Sequence, residues 1–470
     1  MNEIIWRSGF EIAKLIRTRE VKPSEVMEAT LARCEKREPE INSFVSVLAE
    51  ESMAAARKAD KELLQQSASD LPELFGVPLS VKDLAPTAGI RTTFGSVDYA
   101  DNVPKLDSIS VGRLRKAGAI VFGKTTTPEF GMLGVTESRL TGVTNNPWNL
   151  RYTAGGSSGG AAASIAAGIG SLGWGSDGGG SIRIPAAYCG VVGLKASLGW
   201  VPGDHPWDTT VMEGPITRTV IDQALMLKVT SGHDPRAPLS TPFIPKRNFF
   251  DGIETADSDF GGIRVAFAPA PAGARVSAEV AELTRNAAES LSKAGAIVTE
   301  VSLDLPDAVE YFIDFWGPAF LDPDSPLPHA AMLKVQSAAK RVSLESYLQT
   351  ANETRSRLTR EFNNLFSSHD VLLTPTSPVA PFPHPGEHGG NTHIDGIQVS
   401  YPAIDFHRFT ESPTHAGLPA ITVPAGFSSE GLPIGIQFVS PLHTDIGLLR
   451  IAAKWEKLNP WAHYYPGFTK

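Results

Sequence analysis

The sequence is 470 residues long, and its 42% hydrophobic and 20% charged residues give the composition of an ordinary globular protein. Its formal net charge is −9, from 42 Lys and Arg against 51 Asp and Glu, and it contains no dense basic run. This balance argues against a nucleic-acid-binding protein and against an anionic membrane surface as a partner.

The cysteines and the first residues indicate a reducing compartment. Cys34 falls on the apolar face of a helical pattern with Met27 and Leu31, which favours a reduced, buried thiol. The opening residues MNEIIWRSGF lack a basic region followed by an apolar core, so no signal peptide is predicted and the cytoplasm is the default expectation. The uncharged run 152–176 is mostly Gly, Ala and Ser, and is predicted to be a buried helix with its loops and not a membrane span.

The first part of the chain is predicted to be helical. Pro23 opens a helix whose apolar residues recur at helical spacing, and a second helix is predicted at about 48–65. The segment PELFGVPLSVKDL then indicates a turn and a short strand that ends at Lys82.

Beyond Lys82, strands and helices alternate. The hexapeptide KAGAIV occurs at 116–121 and at 293–298, each time after a helical pattern, with Gly placed to end the helix and Ile-Val to begin a strand. Further elements are predicted as strands at 262–268, 371–374, 420–423 and 434–438 and as helices at 277–294 and 344–366. The Pro- and His-rich stretch 374–403 is predicted to be a long surface loop near a cleft. This alternation predicts an α/β fold, with a large twisted mixed sheet covered by helices on both faces in a single domain over 1–470.

Three glycine-rich motifs offer alternative functions. Residues 118–125 fit a phosphate-binding loop, but the intervening Ala, Ile, Val and Phe are typical of a buried strand. Residues 173–178 fit G-x-G-x-x-G without the acidic residue that a dinucleotide site requires. Residues 155–159 fit the nucleophile elbow of the α/β-hydrolases, which would make Ser157 the nucleophile. This last alternative stays open because Asp and His residues follow downstream.

Two serines in glycine-rich runs, Ser157 and Ser181, lie 24 residues apart. The run Asp177-Gly-Gly-Gly-Ser181 leaves successive N–H groups unobstructed, so that they can converge on an oxyanion. A serine nucleophile needs a base, and none of the 11 histidines precedes residue 205. Lys82, at the end of a predicted strand, is a candidate base because burial lowers the pKa of a lysine.

The chain resembles the amidase-signature family at landmarks that occur in the family's order over nearly its whole length. These landmarks are GVPLSVKD (76–83), GKTTTPEFGM (123–132), GGSSGG (155–160), GSDGGGSIRIPA (175–186), CGVVGLKAS (189–197), GPITRTV (214–220) and GLPAITVPAG (417–426). The resemblance implies an α/β/α fold with a signature core at about 70–220 and the N-terminal helices of residues 1–65 packed on it.

The resemblance also implies roles for individual residues. Ser181 would be the nucleophile, Ser157 a bridging serine that follows a cis peptide bond, and Lys82 the ultimate base. The oxyanion hole would consist of the backbone N–H groups of Gly178, Gly179, Gly180 and Ser181. The supporting residues would be Asp177 and Arg183, which brace this loop, Ser158, which helps to hold Lys82, and Lys124 and Lys195 in structural roles.

The implied reaction is hydrolysis of a small-molecule carboxylic amide, with carbamates (urethanes) and esters as further substrates, by a monomer or homodimer. It needs no metal and no organic cofactor. The pocket is expected to be apolar and uncharged, with a floor widened at Gly178, where many relatives carry Thr or Ile. Its candidate residues are Met132, Leu133, Trp200, Trp207, Phe312, Phe315 and Trp316.

One further alternative is the A-type subunit of a tRNA amidotransferase. Relatives with that function carry Gln where this chain has Ile184, and an acid where it has His407. These departures remove groups that would bind the charged ends of glutamine. They favour a free-standing amidase.

Overall fold

The centre of the molecule is an 11-stranded sheet. The computed structural model describes residues 4–204, 208–242, 244, 249–321 and 330–466. The strands of this sheet are, in chain order, β1 (Phe44–Val47), β2 (Pro78–Lys82), β3 (Ile120–Thr125), β4 (Leu172–Asp177), β5 (Val192–Lys195), β6 (Met212–Thr217), β7 (Arg264–Phe267), β8 (Ile297–Glu300), β9 (Val371–Pro375), β10 (Ala420–Phe427) and β11 (Pro433–Val439).

The strand order across the sheet is β1-β3-β2-β4-β6-β5-β10-β11-β9-β7-β8. Strand β2 pairs in parallel with both β3 and β4, and β7 pairs in parallel with both β8 and β9. The remaining neighbours pair antiparallel. The predicted mixed sheet is therefore confirmed.

Helices cover both faces of this sheet. They are α1 (Gly9–Arg17), α2 (Pro23–Ile41), α3 (Ala49–Gln65), α4 (Ile109–Lys116), α5 (Gly159–Ala166), α6 (Arg183–Cys189), α7 (Val220–Thr230), α8 (Ala278–Lys293), α9 (Ala308–Trp316), α10 (Ala330–Ala339), α11 (Leu344–Gln349), α12 (Arg355–Phe366), α13 (Pro402–Asp405), α14 (Arg408–His415) and α15 (Asp445–Leu458). Consecutive residues of β3 show the two layers, because Val121 and Phe122 lie in different apolar clusters. Val121 belongs to the cluster that also contains residues of α4, α7 and α15, and Phe122 belongs to the cluster that contains the alanines of α5. The predicted α/β class is confirmed.

The repeated hexapeptide adopts the same local structure at both sites. Helix α4 ends two residues before Gly118 and β3 begins two residues after it, and α8 and β8 flank Gly295 in the same way. Gly118 has φ 93° and Gly295 has φ 97°, a region that L side chains rarely adopt. This requirement explains why a glycine ends both helices.

The stretch predicted to be a surface loop is only partly at the surface. Between β9 and α13 it is irregular apart from a 3-10 turn (Gly386–His388) and a pair of two-residue strands (His393–Ile394 and Ile397–Gln398). Val379 and Phe382 are buried, however, in a cluster with Leu133 and Phe312. The surface prediction is wrong at these two residues because they complete an apolar core.

The arrangement of the parallel strands places the site. Because β3, β2 and β4 run parallel, their carboxyl ends meet at one edge of the sheet, where the chain reaches Thr125, Lys82 and Asp177. No helix within the described residues is both long enough and apolar enough to cross a bilayer. The assignment of the whole chain to one domain stays a prediction.

Candidate active site

Lys82 is buried at the carboxyl end of β2, with 1% of its surface exposed. Its Nζ lies 2.6 Å from Oγ of Ser157 and donates to Oγ of Ser176 at 3.0 Å. Burial lowers the pKa of the ammonium from 10.5 to about 7, although Asp177 and Glu213 act in the opposite direction. The neighbouring Asp83 points elsewhere, since its carboxylate accepts from Thr93 and lies 3.9 Å from Nζ of Lys124. Among the described residues, the amine of Lys82 therefore contacts two hydroxyls and the carbonyl oxygen of Ser176, and it contacts no carboxylate.

Ser157 lies in the turn that precedes α5, and the peptide bond between Gly156 and Ser157 is cis. The next residue, Ser158, joins this turn to the second serine, because its backbone N–H donates to the carbonyl oxygen of Ser181 at 3.1 Å. Its hydroxyl donates to the carbonyl oxygen of Ser176 at 3.2 Å. Within the described residues, Ser158 makes no direct hydrogen bond to Lys82, and Ser176 contacts both residues. Ser176 is the contact residue of Lys82 that the sequence did not reveal.

The glycine-rich loop after β4 is held by a buried ion pair. Asp177 and Arg183 are fully buried, and Nη2 of Arg183 donates to Oδ1 of Asp177 at 2.8 Å. Burial alone would raise the pKa of Asp177, but the Arg183 guanidinium and the N–H of Gly180 outweigh it and lower the pKa to about 2. Arg183 also donates to Oε1 of Gln437 at 2.6 Å, which ties the loop to β11. The loop is therefore anchored on both sides.

The backbone N–H groups of this loop divide into two sets. Gly180 donates to Oδ1 of Asp177 at 2.7 Å, so its N–H braces the loop and is not a free donor. The inclusion of Gly180 in the oxyanion hole is corrected on this ground. No group within the described part of the chain accepts a hydrogen bond from the N–H of Gly178, Gly179 or Ser181. These three remain available to an oxyanion.

Ser157 and Ser181 line one cavity. Four predicted pocket residues lie on its wall, namely Met132, Leu133, Phe312 and Trp316. Trp200 does not: it packs in the core, and its indole N–H donates to Nδ1 of His443 at 3.0 Å. Phe315 is also absent from the wall, since its ring stacks on Tyr347 at 5.8 Å. Trp207 lies outside the described residues.

Besides Ser176, the described residues of the cavity wall include two polar side chains that were not predicted from the sequence, His407 and Glu411. Glu411 is 1% exposed, and its Oε1 lies 3.2 Å from Nδ1 of His407. The pocket therefore contains two ionisable side chains that the expectation of an uncharged lining did not include. Most of the other described wall residues are apolar or glycine, as predicted.

Replacement of Asp177 by alanine is expected to lower the free energy of unfolding by about 3–5 kcal/mol, because it leaves Arg183 buried without its counter-ion. Urea denaturation followed by circular dichroism measures this change. The matched control is Asp370→Ala, which breaks a 2.6 Å ion pair with Arg264 whose partners are 41% and 45% exposed. An exposed pair contributes about 1 kcal/mol or less. Equal losses in the two variants would contradict the bracing role of Asp177.

Comparison with known proteins identifies the family. The family profile described as Amidase matches residues 25–321 and 324–449. The chain belongs to the amidase family. It is an amide hydrolase. An acylamidase of Rhodococcus erythropolis is 35% identical to it, over 98% of this chain and 97% of its own length.

One further sequence relative and one solved structure are similar to this amidase over nearly its whole length. The A-type subunit of the glutamyl-tRNA(Gln) amidotransferase of Sulfurihydrogenibium sp. (strain YO3AOP1) is 31% identical over 98% of this chain and 99% of its own length. The crystal structure of a bacterial aryl acylamidase of the amidase-signature family superposes with a TM-score of 0.89 at 29% identity and covers 99% of each chain. Both similarities extend over almost the whole fold.

Proposed function

We propose that this amidase cleaves small-molecule carboxylic amides through an acyl-enzyme on Ser181, with Ser157 and Lys82 as the proton relay. The observation that carries the proposal is the 2.6 Å contact between Nζ of Lys82 and Oγ of Ser157 in a cavity that Ser181 also lines. A buried lysine whose pKa is about 7 is largely neutral at mildly alkaline pH, so it can accept a proton.

In the proposed first step, Oγ of Ser181 attacks the amide carbon and its proton passes to Oγ of Ser157. The proton of Ser157 moves at the same time to the neutral amine of Lys82. The carbonyl oxygen becomes an oxyanion, to which the N–H groups of Gly178, Gly179 and Ser181 donate. When the C–N bond breaks, the relay runs in reverse and Ser157 protonates the departing amine.

In the second half of the reaction a water molecule replaces the amine. It attacks the acyl-Ser181 ester and passes its proton along the same relay. The acid then leaves and restores the hydroxyl of Ser181. Both halves use the same oxyanion donors, because both pass through a tetrahedral intermediate on the same carbonyl carbon.

The substrates that fit this site best are aryl and alkyl amides. The cavity wall has an apolar surface formed by Phe312, Trp316, Met132 and Leu133. The similar proteins include an acylamidase and an aryl acylamidase. Carbamates and esters present the same carbonyl to the same nucleophile, so we include them in the proposed range.

A panel of 4-nitroanilides, aryl carbamates and 4-nitrophenyl esters tests this range. We expect turnover of the anilides. For the esters we expect a burst of nitrophenol equal to the enzyme concentration, because acylation by an activated ester outpaces deacylation. The absence of anilide turnover, with ester cleavage that survives in Ser181→Ala, would contradict the proposal.

A free-standing amidase is favoured over an amidotransferase component by the cavity wall. Glutamine carries a carboxylate, and the described wall residues include no Lys or Arg that could pair with it. Ile184 contributes an apolar side chain to this wall. Ammonia release from free glutamine is therefore expected to be negligible beside anilide hydrolysis, and efficient release would favour the amidotransferase function.

A further inference from the structure

Among the described residues that line the cavity, one carries a carboxylate, and most of the others are apolar or glycine. Glu411 lies on α14 and is 1% exposed, yet it belongs to the wall that Ser157 and Ser181 also line. The proposed acyl transfer assigns no role to this group. A buried carboxylate is costly unless its oxygens find donors, so its partners decide what it can do.

The first oxygen of this carboxylate, Oε1, is hydrogen-bonded to His407. Nε2 of His407 lies 3.1 Å from the carbonyl oxygen of Ala403, which only accepts, so Nε2 carries a hydrogen. Nδ1 lies 3.2 Å from Oε1 of Glu411, and one hydrogen must also lie between these two atoms.

The second oxygen has no donor. No hydrogen bond reaches Oε2 of Glu411 from any described residue, and the atom is buried. Nε2 of His415 lies 3.4 Å away but is not aligned for a hydrogen bond, and both of its ring nitrogens are themselves without hydrogen-bond partners among the described residues. Glu411, which lines the cavity, therefore carries one buried acceptor without a hydrogen-bond partner among the described residues.

This acceptor lies beside the loop that leads into Ser181. A β-carbon built on Gly179 would lie 2.2 Å from Oε1 and 3.1 Å from Oε2 of Glu411. Only a residue without a side chain allows the carboxylate to pack so close to the loop. A substrate whose carbonyl oxygen is held by this loop would bring its neighbouring atoms within reach of Glu411.

We propose that Oε2 of Glu411 accepts a hydrogen bond from an N–H or ammonium group of the substrate, carried within a few atoms of the scissile carbonyl. The proposal rests on the proposed function and names its preferred substrates, which are amides with such a donor over their hydrocarbon counterparts. A hydrocarbon substrate would bury Oε2 without a partner, whereas a donor satisfies it.

Isosteric substrate pairs test this selectivity. On the acyl side, the 4-nitroanilides of 3-aminopropanoic and butanoic acid differ only by an ammonium group in place of a methyl group. On the amine side, the N-(2-aminoethyl) and N-propyl amides of acetic acid differ in the same way, and they carry the differing group close to the scissile carbonyl. We expect wild-type enzyme to prefer the donor member of at least one pair, and that pair identifies the side of the scissile bond that faces Glu411.

The decisive comparison is between Glu411→Gln, which keeps the shape, and Glu411→Leu, which removes both acceptors. In Glu411→Leu the ratio of kcat/KM for donor over hydrocarbon substrate is expected to fall roughly 10- to 100-fold, with a smaller fall in Glu411→Gln. The control Glu213→Gln removes a carboxyl group that bonds to Trp174 and is absent from the cavity wall. It should leave the ratio unchanged.

The outcomes separate this proposal from the one on which it rests. Equal losses on both members of a pair would show that Glu411 only supports the loop and would overturn the selectivity proposal. An unchanged ratio in both Glu411 variants would overturn it as well. Failure of wild-type enzyme to cleave any anilide would instead overturn the proposed function. Labelling of Ser181 by a fluorophosphonate reports whether each variant is folded.

Discussion

Replacement of Ser181 by alanine is expected to lower kcat/KM for a 4-nitroanilide about 10⁴- to 10⁶-fold, since it removes the atom that forms the acyl-enzyme. Ser181 is only partly buried, so the truncation should leave the free energy of unfolding within about 0.5 kcal/mol of wild type. Steady-state kinetics and urea denaturation on the same preparation measure both effects.

Ser157→Ala is the matched variant for this prediction. Under the relay it interrupts proton transfer but keeps the nucleophile, so the loss should be large and some burst with an activated ester should remain. If Ser157 were the nucleophile, as in the nucleophile-elbow alternative, Ser157→Ala would lose the burst and Ser181→Ala would keep it. A dead Ser157→Ala enzyme with no burst, beside an active Ser181→Ala enzyme, would contradict the assignment.

Lys82→Ala is expected to lower turnover about 10²- to 10⁴-fold, the usual contribution of a positioned acid–base group. Lys82→Arg should do no better, because a guanidinium remains protonated at any usable pH. Contacts with Ser157 and Ser176 hold the wild-type amine in place, and neither variant can accept a proton from Ser157. Near-normal turnover in either variant would contradict the relay.

The same assignment fixes the direction of the pH dependence. The relay needs the neutral amine, and burial lowers the pKa of Lys82 to about 7. Activity should therefore be low at acidic pH, where Lys82 is protonated. It should rise through about pH 7 and level off above it. An activity that falls as pH rises through this range would contradict the assignment.

The pH profile alone does not identify the titrating lysine, because other lysines are buried as well. Burial also lowers the pKa of Lys195 to about 7 and that of Lys124 to about 8. Lys124 donates to the carbonyl oxygen of Ala85 at 2.6 Å and to the hydroxyls of Thr87 and Thr92. Lys124→Met should reduce stability but keep the rise of activity between acidic and neutral pH. Lys82→Ala should remove that rise. If the rise of activity with pH disappeared in Lys124→Met, the titrating group would be Lys124 and not Lys82.

The chemistry near the nucleophile could be predicted because it depends on short stretches of sequence. Glycines before Ser181 and a lysine at the end of a buried strand are local features, and the parallel order of β2 and β4 brings them to one edge of the sheet. The repeated KAGAIV segment likewise predicted two helix ends, because glycine alone tolerates the backbone angles found there.

The parts that sequence could not predict depend on packing between distant segments. Glu411 follows Ser181 by 230 positions, and only the docking of α14 on the glycine-rich loop brings them to one cavity. Trp200 and Trp316 are both apolar aromatics, yet one fills the core and the other lines the cavity. The spacing of His407, Glu411 and His415 on one helix face was a usable signal, because three titratable groups rarely share a buried face by chance.

If Ser181 is the nucleophile, a covalent serine probe should label Ser181 and not Ser157. Wild-type enzyme is incubated with a fluorophosphonate, digested, and analysed by tandem mass spectrometry across the peptides that contain Ser157 and Ser181. We expect one adduct per chain, on Ser181, and slower adduct formation in Lys82→Ala. An adduct on Ser157, or labelling that persists in Ser181→Ala, would contradict this assignment.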